Sequence, residues 1–534
     1  MMSNYNLLTE KWIPLRHGEG EECRVAPWEL PDVPADAELA IARPDFRAGV
    51  MEFLIGLVQT ALSPSKKACG KLHRKGCSSG VLKEALLPLE PYFNLFGERP
   101  RFMQDLLLKE KECKEHSRID SLLIDNPGGN TLKNNGDFFV KRGGIEAMCP
   151  ACAAMALITM QNFAPAGGAG IRTSLRGGGP LVTIAAGKGV WETICKNVIA
   201  ANEERALPDL TGESVGKVFP WTVPTKISDE KGTGYYRANG HFLQHFWAMP
   251  RRVVLLEDKH ASPQSCDICK QKSTVTCSSL LTKPRGNNYG DDWQHPLTPY
   301  FNQGNDKPTL SVKASANGLM YTNWLGYAYG SKQDPKTGKC SLAATCIQQY
   351  LSSIKYGESS KLLVKSFGYD MDNMKPLQWV EGSFPVYPIT GDMGVFRQEI
   401  TQYLDAADKV QKNMIAALKV ALYADEGRGA TVGNTQLASI VRSFWSTTEH
   451  PFFVTAEQTA TAVNEHSDNP EILDYLMPLR SEWRTTLCRT AVEMYLQHAE
   501  SEKFSAHKVE KIYKELLALK KKNSAASKKA LQLN

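Results

Sequence analysis

Residues 400–422 read ITQYLDAADKVQKNMIAALKVAL, and Ile400, Tyr403, Leu404, Ala407, Val410, Met414, Leu418 and Leu422 recur within them three or four positions apart. That period lays one apolar stripe along a long helix. Leu437, Ile440, Val441, Phe444 and Trp445 repeat it on a second helix. A third is expected from Leu473 to about Leu496, and a fourth carries Val509, Ile512, Leu516 and Leu519. Four such helices can hide their stripes only against one another, so residues 391–534 are predicted to form a C-terminal four-helix bundle.

Residues 1–390 have a different texture, predicting a large, irregular N-terminal domain and an α+β fold overall. Leu7-Leu8-Thr9-Glu10-Lys11-Trp12-Ile13-Pro14 reads as a strand ended by its proline. A helix is expected from about Arg47 to Leu62. Residues 150–390 are rich in Gly, Pro, Asn and aromatics, with long loops at Thr282–Asp292 and Gly330–Lys339.

The most apolar helix-length stretch, GVMEFLIGLVQTAL (Gly49 to Leu62), is interrupted by Glu52 and Gln59 and is too short to cross a bilayer. No secretion signal opens the chain, so a cytoplasmic protein without membrane attachment is expected. Thirteen cysteines is an odd number, and a chain of 534 residues needs no disulfide staples.

Charge is localised. Residues 501–534 carry nine lysines and three acids, which accounts for the whole net charge of +6. Lys66, Lys67, Lys71, Arg74, Lys75 and Lys83 form a second basic cluster with no acid inside it. Such patches suit a polyanion, and equally serve as solvated faces.

Two motifs carry chemistry. Cys149-Pro150-Ala151-Cys152 and Cys266-Asp267-Ile268-Cys269 offer four thiolates, the ligand set of a closed structural Zn²⁺ site. Their separation of 113 residues far exceeds a compact zinc ribbon, so two unrelated buried pairs or one redox CxxC are alternatives, and Cys277 is a possible fifth thiol. The second motif runs through Ala164-Pro165-Ala166-Gly167-Gly168-Ala169-Gly170-Ile171-Arg172 to Leu175-Arg176-Gly177-Gly178-Gly179-Pro180. Glycines there allow a close backbone approach, and exposed N–H groups with two arginines suit phosphates. Tight turns between strands would use the same residues.

The search for an active centre is negative. Gly212-Glu213-Ser214-Val215-Gly216 matches a nucleophile elbow only formally, because Pro208 and Asp209 stand where a strand is needed. His295 reads as a structural residue.

Several segments together resemble one family: CasA, the large subunit of the type I-E CRISPR surveillance complex, Cascade. They are LLTEKWIPLR near the start, Pro100-Arg101-Phe102-Met103-Gln104, Phe139-Val140-Lys141, Glu146 to Cys152, Ser174 to Pro180, Phe246-Trp247, the second CxxC and Trp293-Gln294-His295-Pro296. The likeness is sharpest over 139–180 and thin over 300–390.

The resemblance implies a non-catalytic subunit in which guide RNA reads the target while protein reads a short flanking motif, the PAM. It implies a glycine loop at Ala166, Gly167, Gly168, Ala169 and Gly170, set against a minor groove about 6 Å wide. The family's lysine finger falls in register with Pro284, leaving Lys283 or Arg285 to substitute. The duplex-opening wedge falls on Asp372, Asn373 and Met374, where an ordinary surface hairpin is the alternative.

Phe139, Val140 and Lys141 match the loop that docks near the 5′ end of guide RNA, with Lys141 replacing the family's Asn. Lys66, Lys67, Lys71, Arg74, Lys75, Lys520, Lys521 and Lys522 would then hold DNA backbone. The implied partners are guide RNA, double-stranded target DNA, other Cascade subunits and a separate helicase-nuclease. Two other readings are a stand-alone zinc-containing nucleic-acid-processing enzyme and a protein scaffold without PAM reading.

Overall fold

Helix Pro44–Leu62 is buried along most of its length, because its apolar residues face neighbours on every side. It packs on helix Pro150–Phe163, and a Cβ at Gly49 would lie 2.7 Å from Thr159 Oγ1. Phe53 meets Trp12, Phe93, Phe102 and Trp247 edge-on, with centroids 5.6–6.2 Å apart. In this computed structural model the described residues are 4–137, 140, 142–229, 231, 233–304, 307–315, 319–354, 362–372, 375–423, 432–466, 471–499 and 506–533.

The chain divides into two compact units. One comprises Met1–Gly318, Gln333–Ser353 and Leu363–Ser383; the other comprises Leu319–Lys332, Ile354–Leu362 and Phe384–Asn534. The first unit mixes helices with small antiparallel sheets. Strand Ile13–His17 lies between Glu21–Val25 and Glu38–Leu39. The expected strand ending at Pro14 is corrected: Leu7, Leu8 and Trp12 are buried by a turn closed onto Asn6, and Pro14 is the second residue of the strand. Proline lacks only a donor, and the Pro14 carbonyl accepts from Ala40 N–H at 2.9 Å.

Strands Arg252–Ser265 and Lys272–Lys283 make a long antiparallel hairpin. Another sheet sets Lys375–Val386 beside Leu362–Asp372, which pairs antiparallel with Val182–Ala185.

The second unit contains the four helices that the stripes foretell: Met393–Tyr423, Val432–His466, Ile472–Ala499 and Ala506–Ala530. Ile400, Tyr403, Ala407, Val410, Met414 and Leu418 are buried, as are Ile512, Leu516 and Leu519, whereas Leu473 and Val509 near their helix starts are exposed. Arg480 is turned inward onto Glu399, with Nε donating to Oε2 at 2.8 Å and a second, shorter bond from Nη2 to Oε1. Both side chains are 2–3% exposed.

The helical unit also includes Leu319–Lys332, a segment placed by sequence in the first domain. Tyr321 stacks on Phe452 at 4.4 Å, and its hydroxyl meets Thr448 Oγ1 at 2.8 Å. Among the described residues no helix is long and apolar enough to cross a membrane.

Candidate functional site

Cys149 caps helix Pro150–Phe163, and Cys152 sits in its first turn. Cys266 and Cys269 occupy the turn of the long hairpin, where Lys270 N–H donates to Cys266 O at 2.9 Å. Folding that hairpin back closes the long gap in sequence. All four sulfurs lie within 4.8 Å of one another, and Cys149 and Cys269 are 3.7 Å apart. A Zn–S bond of about 2.3 Å places tetrahedral sulfurs about 3.8 Å apart, so the cluster fits such an ion.

The Asp267 carboxylate accepts from Glu146 and Ala147 N–H, both at 2.8 Å, and latches the two knuckles together. Hydrogen bonds from Cys149 and Cys152 pull the Cys269 thiol down to about 6. Hydrogen bonding to Cys149, Cys266 and Cys269, then burial, pushes the Cys152 thiol up. Four thiolates this close need a cation to balance them, and with every position filled by sulfur the ion would be structural. Cys277 stands outside the cluster: its backbone bridges Met148, and burial pushes its thiol up.

The glycine-rich segment is the second feature. Gly167, Gly168 and Ala169 are exposed, and Ala166 and Gly170 are half-buried. Gly168 adopts φ +104° with open space where a Cβ would project. Gly170, at φ +77°, accepts from Arg285 N–H at 2.6 Å, and its Cβ would lie 2.9 Å from Arg285 Cγ. The glycine and finger loops are therefore in direct contact. Lys283 ends its strand opposite Arg252, so the expected loop from Thr282 begins two residues later; Arg285 turns with φ +65°.

Gly177, Gly178 and Gly179 each face a different neighbour. A Cβ would lie 2.8 Å from Lys313 Nζ at Gly177, 3.7 Å from Pro165 Cα at Gly178, and 2.6 Å from Tyr369 O at Gly179. Ala314 N–H donates to Gly179 O and bridges Asp370. One run of three glycines thus joins the glycine loop to the strand leading to Asp372. Asp372 is exposed at that strand's end, while Asn373 and Met374 lie outside the described residues.

Neither arginine of the segment is held out for phosphate, which corrects that expectation. Arg172 Nε donates to Ser228 Oγ at 2.8 Å. Arg176 is buried and pairs with Glu52 at 2.9 Å. His295 Nε2 lies 4.0 Å from the same carboxylate, and His245 packs 6.2 Å from His295 between ring centroids. Burial holds both imidazoles neutral, His245 down to about 3 and His295 well below its ordinary value.

An unfolded histidine titrates near pH 6.5, so unfolding takes up protons below that pH. The stability these two residues lend is intact above about pH 6.5 and is lost as pH falls toward 3. Melting temperature should therefore decline from about pH 6.5 to about 4.5, less steeply in His245→Phe, and equal slopes in the two proteins would refute the assignment.

Val140 is half-buried, with its N–H donating to Asp137 O at 3.2 Å; Phe139 and Lys141 lie outside the described residues. Lys66, Lys67, Lys71, Arg74 and Lys75 are exposed on helix Lys66–Lys75, whose other face buries Cys69, Leu72 and His73. Lys520, Lys521 and Lys522 are exposed on the last bundle helix. The Ser214 hydroxyl donates to Thr211 O at 2.7 Å and also bonds Asp209 O, so it caps a turn and heads no elbow. Lys313, in the stretch where the resemblance is thin, has no sequence signal of its own.

A mixed helix-and-sheet unit together with a helical unit is a fold found among CRISPR-associated proteins. CasA from Thermus thermophilus shares it at 17% identity, over 98% of this chain and 100% of that one, with a TM-score of 0.71. Cse1 from Acidimicrobium ferrooxidans does so at 13%, over 99% of each chain, with a TM-score of 0.69. A chain of a CRISPR RNA-guided surveillance complex matches at 13%, over 97% of this chain and 99% of that one, with a TM-score of 0.67. The family model of CRISPR-associated protein Cse1 matches residues 6–494, and the chain belongs to that family.

Proposed function

We propose that this chain is the non-catalytic large subunit of a type I-E Cascade complex, reading the PAM of double-stranded DNA. It promotes duplex opening for the guide RNA and recruits a separate helicase-nuclease. The observation that carries the reading is the union, through Gly177–Gly178–Gly179, of an exposed glycine loop with the strand leading to Asp372. Backbone at Ala166–Gly170 would face the minor groove, with Lys283 or Arg285 beside it. Asp372 would stand at the wedge, with Asn373 and Met374 beyond the described residues.

In this reading Val140, flanked by Phe139 and Lys141, docks the guide RNA end. Lys66, Lys67, Lys71, Arg74, Lys75 and Lys520–Lys522 hold phosphates, and the four cysteines hold structural Zn²⁺.

Gly168 gives the test. Because a Cβ there would meet no atom of the described residues within 4 Å, Gly168→Val points into open space and strains the local backbone through its positive φ. The complex assembled with this variant should bind guide-matched duplexes with its preference among flanking base pairs reduced by about 1–3 kcal/mol, roughly 5- to 150-fold. A wild-type complex that binds every flank equally would overturn the reading.

A further inference from the structure

Lys313 occupies the junction of the two features just described. Its Nζ donates to Arg176 O at 2.6 Å and to Ser311 Oγ at 2.8 Å. An ammonium has three donors, and the third N–H has no partner among the described residues. The main chain holds it on both sides: Lys313 bridges Pro180, and Ala314 bridges Asp370. Gly177 leaves room for the amine, and the adjoining Gly178 packs on Pro165 and Ala166, where the glycine loop begins. Lys313 is an exposed residue. The protein packed around its amine, then the nearby Arg176 guanidinium, push its pKa down to about 8, so an arriving anion would secure its charge.

We propose that Lys313 is a DNA-binding residue of this site, giving its third N–H to a backbone phosphate of the duplex as the glycine loop meets the groove. The assignment rests on the PAM-reading function proposed above. Two protein oxygens fix the amine in place, so it meets DNA without losing the rotamer freedom of a surface lysine. A single point charge offers no bidentate base pattern, so the contact adds affinity and carries no sequence information.

The test is the salt dependence of target binding by the complex assembled with the full chain. Loss of one phosphate contact in Lys313→Met should reduce the slope of log K against log salt by about 0.9, with affinity falling alike for every flank. Lys313→Arg should keep the wild-type slope. An unchanged slope in Lys313→Met overturns the proposal, as does an equal loss in Lys313→Arg, which would mark a purely packing role.

Should Lys313→Met fail to assemble, wild-type complex can be tested on duplexes bearing single neutral methylphosphonates around the flank. One position should weaken binding and lower the slope, and no such position would overturn the assignment. Indifference of the wild type to flanking sequence would defeat the PAM reading and leave this slope test standing.

Discussion

Cys266→Ser should yield a protein without bound metal and with stability lowered by more than about 4 kcal/mol, the range reached when a structural metal is lost. Wild-type protein purified without chelator should carry one zinc per chain. The four sulfurs come from two segments far apart in sequence, and an ion at their centre ties helix Pro150–Phe163 to the turn of the long hairpin. Without it, the two segments keep the Asp267 latch and the Met148–Cys277 backbone bridge, but thiols packed within 4.8 Å have no cation between them.

Metal analysis and thermal melting, run in parallel, check both halves of the expectation. Cys277→Ser is the control: this thiol lies outside the cluster and the variant should keep its metal. A wild type free of zinc, or a Cys266→Ser protein that melts like it, would refute the metal centre.

The second large effect is in the helical unit. Arg480→Met leaves the Glu399 carboxylate buried without its partner, and Glu399→Leu strands the guanidinium. Each should cost about 3–5 kcal/mol, because the charge left behind keeps its desolvation penalty and loses its hydrogen bonds. The double variant removes both charges and should recover most of the loss, giving a coupling of about 2 kcal/mol or more in a double-mutant cycle. Urea unfolding followed through Trp445 and Trp483 measures it. Single variants costing under about 1 kcal/mol would mean that the pair is not desolvated.

What could be read from sequence followed the range of the interactions. The bundle was legible because residue Ile400 and those three or four positions on repeat one local geometry, whatever lies beside them. Tyr321 and Trp324 pack into the same unit, but they stand far from it in sequence and carry no period.

The cysteine cluster was legible as ligand chemistry and illegible as spacing, since the intervening hairpin sets the distance. Arg176 looked like a phosphate ligand among glycines, yet it is committed to Glu52. The missed signal was Glu52 itself, an acid in the most apolar stretch of helix Pro44–Leu62, which needs a buried cation. The glycines at 177–179 announced close approach, but nothing local said that a lysine, a loop and a strand were what approached.

Gly179 sets the pitch of a lever. Tyr369 O lies 2.6 Å from where a methyl group at position 179 would stand, so any larger residue must push that strand aside. From Tyr369 to Asp372 the strand advances about 10 Å, at roughly 3.3 Å per residue. A small tilt forced at the fulcrum therefore grows along the arm, and one added carbon would re-aim an end it never touches.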